Sequence, residues 1–334
     1  MNPKYPFCEG GSSPSPSTFS EILQLRHELT RAVRDYFYNR GYIEVETPNL
    51  MRTAAPDPNI DPLEVFVGGQ GPYYLHTSPE MGMKKLLPHS HGGIFQICKV
   101  YRVEEFEEIH NVEFTMLEWY RKGTYLDAMD ETKGLVQFAA ERLQAIHDDR
   151  YGGPWKVYDL ADLFVQRIDI NPFDLGKDDL LMAMRGKRFM GIDERDSWND
   201  LFFKLFIQEV EPHIPKEDPY FIRDWPLSVS TMAKRRDANR VERFELYING
   251  LEIANGYTEL LDYKEQTRRF EIDNNERKGS GRRAFGVDEE FLEALSVLQP
   301  EGSYAGVSVG VDRLLMVLLG KERIADVMVQ RFRM

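Results

Sequence analysis

The sequence predicts an α+β protein in which an antiparallel sheet is flanked by helices. Three segments predict it. Residues 101–120, YRVEEFEEIHNVEFTMLEWY, read as two strands joined by a short loop. Residues 243–260, RFELYINGLEIANGYTEL, place Asn249-Gly250 between two apolar-rich runs. Asn-Gly is the strongest short hairpin signal, because both turn residues take positive φ. Residues 306–320, GVSVGVDRLLMVLLG, read as a glycine-punctuated strand that enters a helix.

The remaining elements follow in chain order. Residues 1–17 are rich in Pro, Gly and Ser, and a tail over 1–18 is expected. From Ser20 to Arg40, Ile22, Leu25, Leu29, Val33, Tyr36 and Phe37 recur at helical spacing, and Gly41 suits the helix C-terminus. GYIEVETPNL alternates as a strand does and is closed by Pro48. Pro56, Pro58 and Pro62 mark 51–72 as loop. YYLHTSPE, residues 73–80, reads as a strand running into a helix opened by Pro79. Residues 125–147 form an amphipathic helix, and about 155–220 is an embedded helical region. Residues 19–334 are expected to make one catalytic domain.

Bulk properties narrow the function. The 334 residues carry 42% hydrophobic and 29% charged side chains, ordinary for a globular enzyme. A net charge of −13 argues against a general nucleic-acid binder. The basic run Lys234, Arg235, Arg236 and Arg240 reads as a solvated surface rather than a docking site. Two cysteines, Cys8 and Cys98, make no disulfide framework, and no signal peptide or membrane-spanning run is apparent. A cytoplasmic setting is expected.

The chemistry lies in the three segments. Strand periodicity puts Phe114, Met116, Glu118 and Tyr120 on one face, with Arg102 and Glu104 on the strand beside it. An aromatic plate, a carboxylate, a phenol and an arginine together suit a nucleotide and an amino acid better than a dry core. A two-residue turn pairs Ile248 with Leu251, Tyr247 with Glu252, Leu246 with Ile253, and Glu245 with Ala254. Glu245 and Glu252 become diagonal neighbours, roughly 7–8 Å apart at the backbone, a pair suited to Mg²⁺ between carboxylates and phosphates. Glu259 follows a possible loop at Asn255-Gly256, and Glu80 follows the strand at 73–78. An acidic hole formed by them selects a cationic ligand such as a diamine. In 306–320, Gly306 and Gly310 permit close backbone approach, Asp312 can cap the helix, and Arg313 in its first turn faces phosphate.

Taken together, GYIEVETP (41–48), 101–120 and 306–316 resemble motifs 1, 2 and 3 of the class II aminoacyl-tRNA synthetases. Through TSPE (77–80), HNVEFTMLEWY, GLEIANGYTEL and GVDRLLM the chain is most similar to the lysyl-tRNA synthetase subgroup. Motif 1 begins at Gly41, which leaves no room for the barrel that reads the anticodon in those enzymes. The chain therefore resembles the truncated paralogue family, the elongation factor P–(R)-β-lysine ligases. WPLSVSTMAK (225–234) and QTRRFEIDNNERK (266–278) are similar to that family too.

The resemblance implies a class II synthetase fold, ATP and Mg²⁺ as cofactors, (R)-β-lysine or lysine as substrate, elongation factor P as acceptor, and a homodimer through motif 1. No anticodon recognition is implied. Arg102 would hold the α-phosphate and Arg313 the γ-phosphate and one face of adenine, making these two the catalytic pair. Phe114 would stack under adenine, with Val103, Glu104, His110, Asn111, Ile253 and Gly310 beside ATP. Glu245 and Glu252 match metal positions, Glu252 touching ATP as well. Ser78, Pro79, Glu80, Tyr120, Asn255 and Glu259 match the amino-acid pocket. Departures are local. Val103 stands where the family has Asn, Val112 where it has Pro, and Ile109 where lysyl enzymes commonly have Arg. Ser78 and Ser308 change the pocket floor. Two alternatives remain: a lysine-activating enzyme that charges tRNA or a small molecule, and a non-catalytic paralogue acting as a binding module. The base for the second, aminolysis step is not identified by the sequence.

Overall fold

The computed structural model describes residues 16–90, 92–103, 108–144 and 149–328. Glu104 and Cys8, singled out from the sequence, lie outside them. Helix α1 (Pro16–Tyr38) begins three residues before the expected boundary and ends as expected: Gly41 takes φ +77°, and Tyr42 N donates back to Phe37 O. Strands β1 (Ile43–Glu44) and β2 (Leu50–Met51) follow, each two residues long where one longer strand was expected. The segment expected as loop contains a hairpin, β3 (Leu63–Val67) and β4 (Gln70–Leu75). Its turn is Gly68-Gly69, both at positive φ, a hairpin signal obscured by the neighbouring prolines. Then come α2 (Glu80–Leu86), β5 (Ile94–Tyr101), β6 (Glu113–Lys122) and α3 (Tyr125–Arg142).

The region expected to be helical opens instead on a short strand, β7 (Lys156–Asp159), parallel to β8 (Tyr220–Arg223). Between them run α4 (Leu160–Ile168), α5 (Lys177–Gly186) and α6 (Trp198–Leu205), with a core of their own around Phe164, Leu180 and Phe202. The chain closes with β9 (Arg243–Ile248), β10 (Leu251–Thr258), α7 (Tyr263–Gly279), α8 (Glu289–Leu298), β11 (Tyr304–Gly310) and α9 (Val311–Leu318). Among the described residues no helix is long and apolar enough to cross a membrane.

One eight-stranded sheet, in the order β1-β5-β6-β11-β10-β9-β8-β7, organises the molecule, and β2-β4-β3 form a small second sheet. The six inner strands are antiparallel; only the edge pairs β1/β5 and β7/β8 are parallel. An antiparallel sheet can bury one face and leave the other for polar work, because side chains alternate. Leu117, Trp119, Leu246, Val307 and Val309 point to the dry face, where α1, α3 and α9 cover them. Glu118, Tyr120, Glu245, Asn255, Ser308 and Gly310 alternate with them and point to the other. That second face is the floor of the site.

Candidate active site

A cavity of about 500 Å³ sits on this polar face, a size suited to a small ligand. Strand β6 supplies Phe114, Met116, Glu118 and Tyr120, the set that period-two alternation predicted. It also pairs in register with β11, so that Tyr120 lies opposite Gly306 and Glu118 opposite Ser308. Gly306 is required there. A Cβ on it would sit 2.3 Å from Tyr120 Cε1 and 2.5 Å from Glu259 Oε1.

The hairpin carries one correction. Ile248 pairs with Leu251 and Tyr247 with Glu252 as expected, but a bulge between Glu252 and Ala254 shifts the rest. Leu246 faces Ala254, not Ile253, and Glu245 faces Asn255, not Ala254. Ile253 and Ala254 are both buried in the apolar core under the sheet. The extra residue re-aims the strand, so that Glu252 and Asn255 share the cavity face, which strict alternation forbids. Asn255 and Gly256 are interior to β10 rather than in a loop. Arg243, given no role from the sequence, braces this corner. It donates to Glu245 Oε1 at 2.6 Å and to Asn255 Oδ1 at 3.1 Å. Tyr247 donates to the other Glu245 oxygen at 2.7 Å.

At the nucleotide-like end, Arg102 follows β5 and its Nε donates to Thr77 O at 3.2 Å. Its guanidinium carbon stands 5.3 Å from the Phe114 ring centroid. Arg313, in the first turn of α9, donates to Glu252 O at 3.1 Å and to His110 Nε2 at 2.6 Å. The sequence expected Asp312 to cap this helix. It instead accepts from Thr115 N at 2.7 Å and Arg26 Nη1 at 2.6 Å, tying α9 to β6 and α1. That pairing fixes where the next residue, Arg313, projects. Asn111 also faces the cavity, with its amide donating to Glu113 O at 2.7 Å to hold the turn before β6.

The amine-like end is acidic, with a cation of its own that the sequence reading missed. Lys84 of α2, fully buried, bridges Glu80 Oε1, at 2.5 Å, and Glu259. Tyr257 donates to the same Glu80 oxygen. Burial alone would strip the Lys84 proton; Glu259 and Glu80 outweigh it and push its pKa up. Glu118, which the sequence placed on this face without a role, is the carboxylate left without an ion pair among the described residues. Ser78 Oγ donates to it at 2.7 Å and Tyr120 OH at 2.5 Å. Burial, then the charge of Glu80, raises its pKa well above the carboxylate range. Burial likewise raises Glu259, although Lys84 pulls it back.

Most candidate residues converge. Ser78, Glu80, Tyr120 and Asn255 line one part of the cavity; Arg102, His110, Asn111, Phe114, Gly310 and Arg313 line another, with Glu245, Glu252 and Ile253 beside them. Three described candidates stand off its wall. Val103 points outward and is 56% exposed. Pro79 caps α2. Glu259 lies beneath the floor, joined to the cavity through Lys84 and Glu80. The basic run at 234–240 is neutralised internally, Lys234 by Glu242, Arg235 by Glu265, and Arg236 and Arg240 by Asp159.

The donor set fits a magnesium ion that is shared with a ligand. Glu245 and Glu252 line the cavity together; burial, then the charge of Glu252, raises the Glu245 pKa, and Arg243 pairs with one Glu245 oxygen. The Glu252 carboxylate hydrogen-bonds to no described residue, although its backbone oxygen accepts from Arg313. Among the described residues no three His, Cys, Asp or Glu side chains gather into a metal cage. Two carboxylates completed by phosphate oxygens and water are the usual magnesium arrangement.

Known proteins share this plan. The signature of the class II tRNA synthetases for Asp, Lys and Asn matches residues 15–330. The chain is 38% identical to the elongation factor P–(R)-β-lysine ligases of Salmonella arizonae and Salmonella typhi, over 93% of this chain and 95% of each relative. It is 39% identical to that of Proteus mirabilis with the same coverage. The chain is thus a member of the class II aminoacyl-tRNA synthetase family, the D, K and N group.

Proposed function

We propose that the protein joins (R)-β-lysine, or lysine, to ATP as an aminoacyl-adenylate and transfers it to a lysine side chain of elongation factor P. The observation that carries this reading is the shared cavity. It combines an arginine pair and a metal-fitting carboxylate pair with a three-glutamate hole in which, among the described residues, Lys84 is the one internal cation. Homology to ligases named for this reaction supports the acceptor.

In the first step the substrate carboxylate attacks the α-phosphorus and pyrophosphate leaves. Little covalent chemistry falls to the protein; positioning and charge neutralisation do the work. Arg102 meets the α-phosphate and Arg313 the γ-phosphate, while Phe114 carries adenine. Glu245 and Glu252 would hold Mg²⁺, which supplies positive charge to the phosphate oxygens. At the other end, one substrate ammonium docks on Glu118, Ser78 and Tyr120. The apolar Leu23, Tyr38, Ile43 and Leu50, all exposed around motif 1, support a homodimer through that face. A cytoplasmic setting follows from the acceptor.

ATP–pyrophosphate exchange with α-lysine and both β-lysine enantiomers tests the first step. Transfer of the labelled amino acid to elongation factor P and to tRNA, measured separately, tests the second. Strongest exchange with the (R)-β isomer and label on elongation factor P alone are expected. Exchange with none of the three, or label on tRNA, overturns the reading.

A further inference from the structure

The two-step reaction needs a base that the motifs do not provide. An acceptor lysine is an ammonium at neutral pH, with an ordinary pKa of about 10.4, and must lose a proton before it can attack an acyl-adenylate. The nucleotide and amino-acid positions account for the cavity walls contributed by β6, β10, β11 and the start of α9. Two further segments line the same cavity, 51–60 and 229–232, and neither contains a residue assigned above to ATP or to the amino acid.

Helix α7 holds the second segment with three side chains on one face, at positions 266, 269 and 273. Gln266 donates to Thr231 O at 3.3 Å. Arg269 donates to the carbonyls of Ser230 at 3.2 Å and Ala233 at 2.8 Å. Those bonds already fix the backbone. The third contact is of another kind: Thr231 donates its hydroxyl to Asp273 Oδ2 at 2.5 Å. Asp273 is buried, forms no ion pair among the described residues, and reaches the cavity through this hydroxyl. Charged neighbours face it from each adjoining element, Asp57 from the 51–60 segment and Glu276 and Arg269 from α7. Burial dominates, and its pKa is pushed up to about 7, where a carboxylate is a useful base.

We propose that Thr231 and Asp273 form the proton relay for the acceptor amine. This rests on the ligase reading above. The ammonium gives a proton to Thr231 Oγ as the Thr231 proton passes to the Asp273 carboxylate. The freed nitrogen lone pair then forms the C–N bond, and the acyl C–O bond to AMP breaks with its electrons on the phosphate; the second proton, shed by the nitrogen as the amide forms, passes to the departing AMP phosphate and from there to solvent. Thr231 touches the substrate; Asp273 acts through it.

The test separates the two steps. Exchange reports adenylate formation, and single-turnover transfer from the preformed enzyme-bound adenylate to elongation factor P reports aminolysis. Asp273→Asn is expected to lower the transfer rate about 100-fold while exchange stays within about twofold. The limb of the transfer pH profile that rises near about pH 7 should vanish with it. Thr231→Val should behave like Asp273→Asn, and Thr231→Ser should restore transfer. Unimpaired transfer in Asp273→Asn overturns the relay alone. So does a parallel loss of exchange and transfer in both Asp273→Asn and Thr231→Val, which marks the pair as structural. A parent protein without exchange overturns the ligase reading, and the relay falls with it.

Discussion

At the amine end of the cavity Glu80 and Glu259 share the ammonium of Lys84, whereas at the phosphate end Glu245 is held by Arg243 and Glu252 is left open. Both clusters bury carboxylates, and both contain a cation from the chain itself. They differ in depth and in what remains. Lys84 and Glu259 are sealed, at 1% and 0% side-chain exposure, so their pairing belongs to the fold. Glu252 is only partly buried, so its open charge can be met by something that arrives with the ligand. The comparison shows that counting glutamates in a sequence overstates how acidic a pocket is. On the reading proposed above, what would select a ligand is the carboxylate that the fold has not already paired, Glu118 at one end and Glu252 at the other.

The largest expected effect tests the sealed cluster. Lys84→Met removes the shared cation and leaves two buried carboxylates facing each other. Removing one partner of a buried pair costs about 3–5 kcal/mol. Urea unfolding measures it, and adding Glu259→Gln should recover part of the loss. A cost below about 1 kcal/mol, the range of exposed pairs, would break the contrast.

The open cluster predicts the opposite signature, lost activity in a stable fold. Arg102→Ala should lower ATP–pyrophosphate exchange by about 10²–10³-fold, the usual cost of removing one preorganised donor to transition-state charge. Near-normal exchange in that variant refutes its phosphate role. Glu252→Gln should raise the magnesium concentration for half-maximal exchange by about 10–100-fold, with unfolding free energy changed by less than about 0.5 kcal/mol. An unaltered magnesium requirement removes Glu252 from the metal.

Parts of this arrangement were legible in the sequence, for physical reasons. Period-two alternation settles which face Phe114, Glu118 and Tyr120 occupy once the strand is recognised, and Asn-Gly settles the turn at 249–250. The bulge at Ile253 was not legible, since Glu252 and Ile253 alternate normally; the pairing register, in which Leu246 faces Ala254, reveals it. Lys84 lies one helical turn from Glu80, so half its role was visible as an i,i+4 pair. The other half, contact with Glu259, spans the fold and leaves no local trace. Asp312 misled for the same reason: beside a helix start it looks like a cap, while its partners Arg26 and Thr115 are remote in sequence. The strand at 156–159 pairs in parallel with β8 across the whole helical region, and pairing of that kind has no short-range signature.

The smallest effect is a pH slope, and it joins both lessons. Glu118 and Asp273, neither of them ion-paired among the described residues, have pKa values raised by burial. Each therefore keeps its proton in the folded protein at a pH where the unfolded chain has released it. The folded state binds more protons, so stability is present at acid pH and is lost as pH rises from the carboxylate range through about 7 for Asp273. Urea unfolding of the free protein should show a decline of roughly 1 kcal/mol per pH unit near neutrality. Saturating lysine should flatten part of that decline, because an ammonium beside Glu118 favours its ionised form. The Asp273 contribution should persist with lysine bound and disappear in Asp273→Asn, since that carboxylate faces Thr231 and not the amine hole. Stability that climbs through this window would mean these carboxylates are already ionised and compensated, and the distinction between paired and open charge would fail at its amine end.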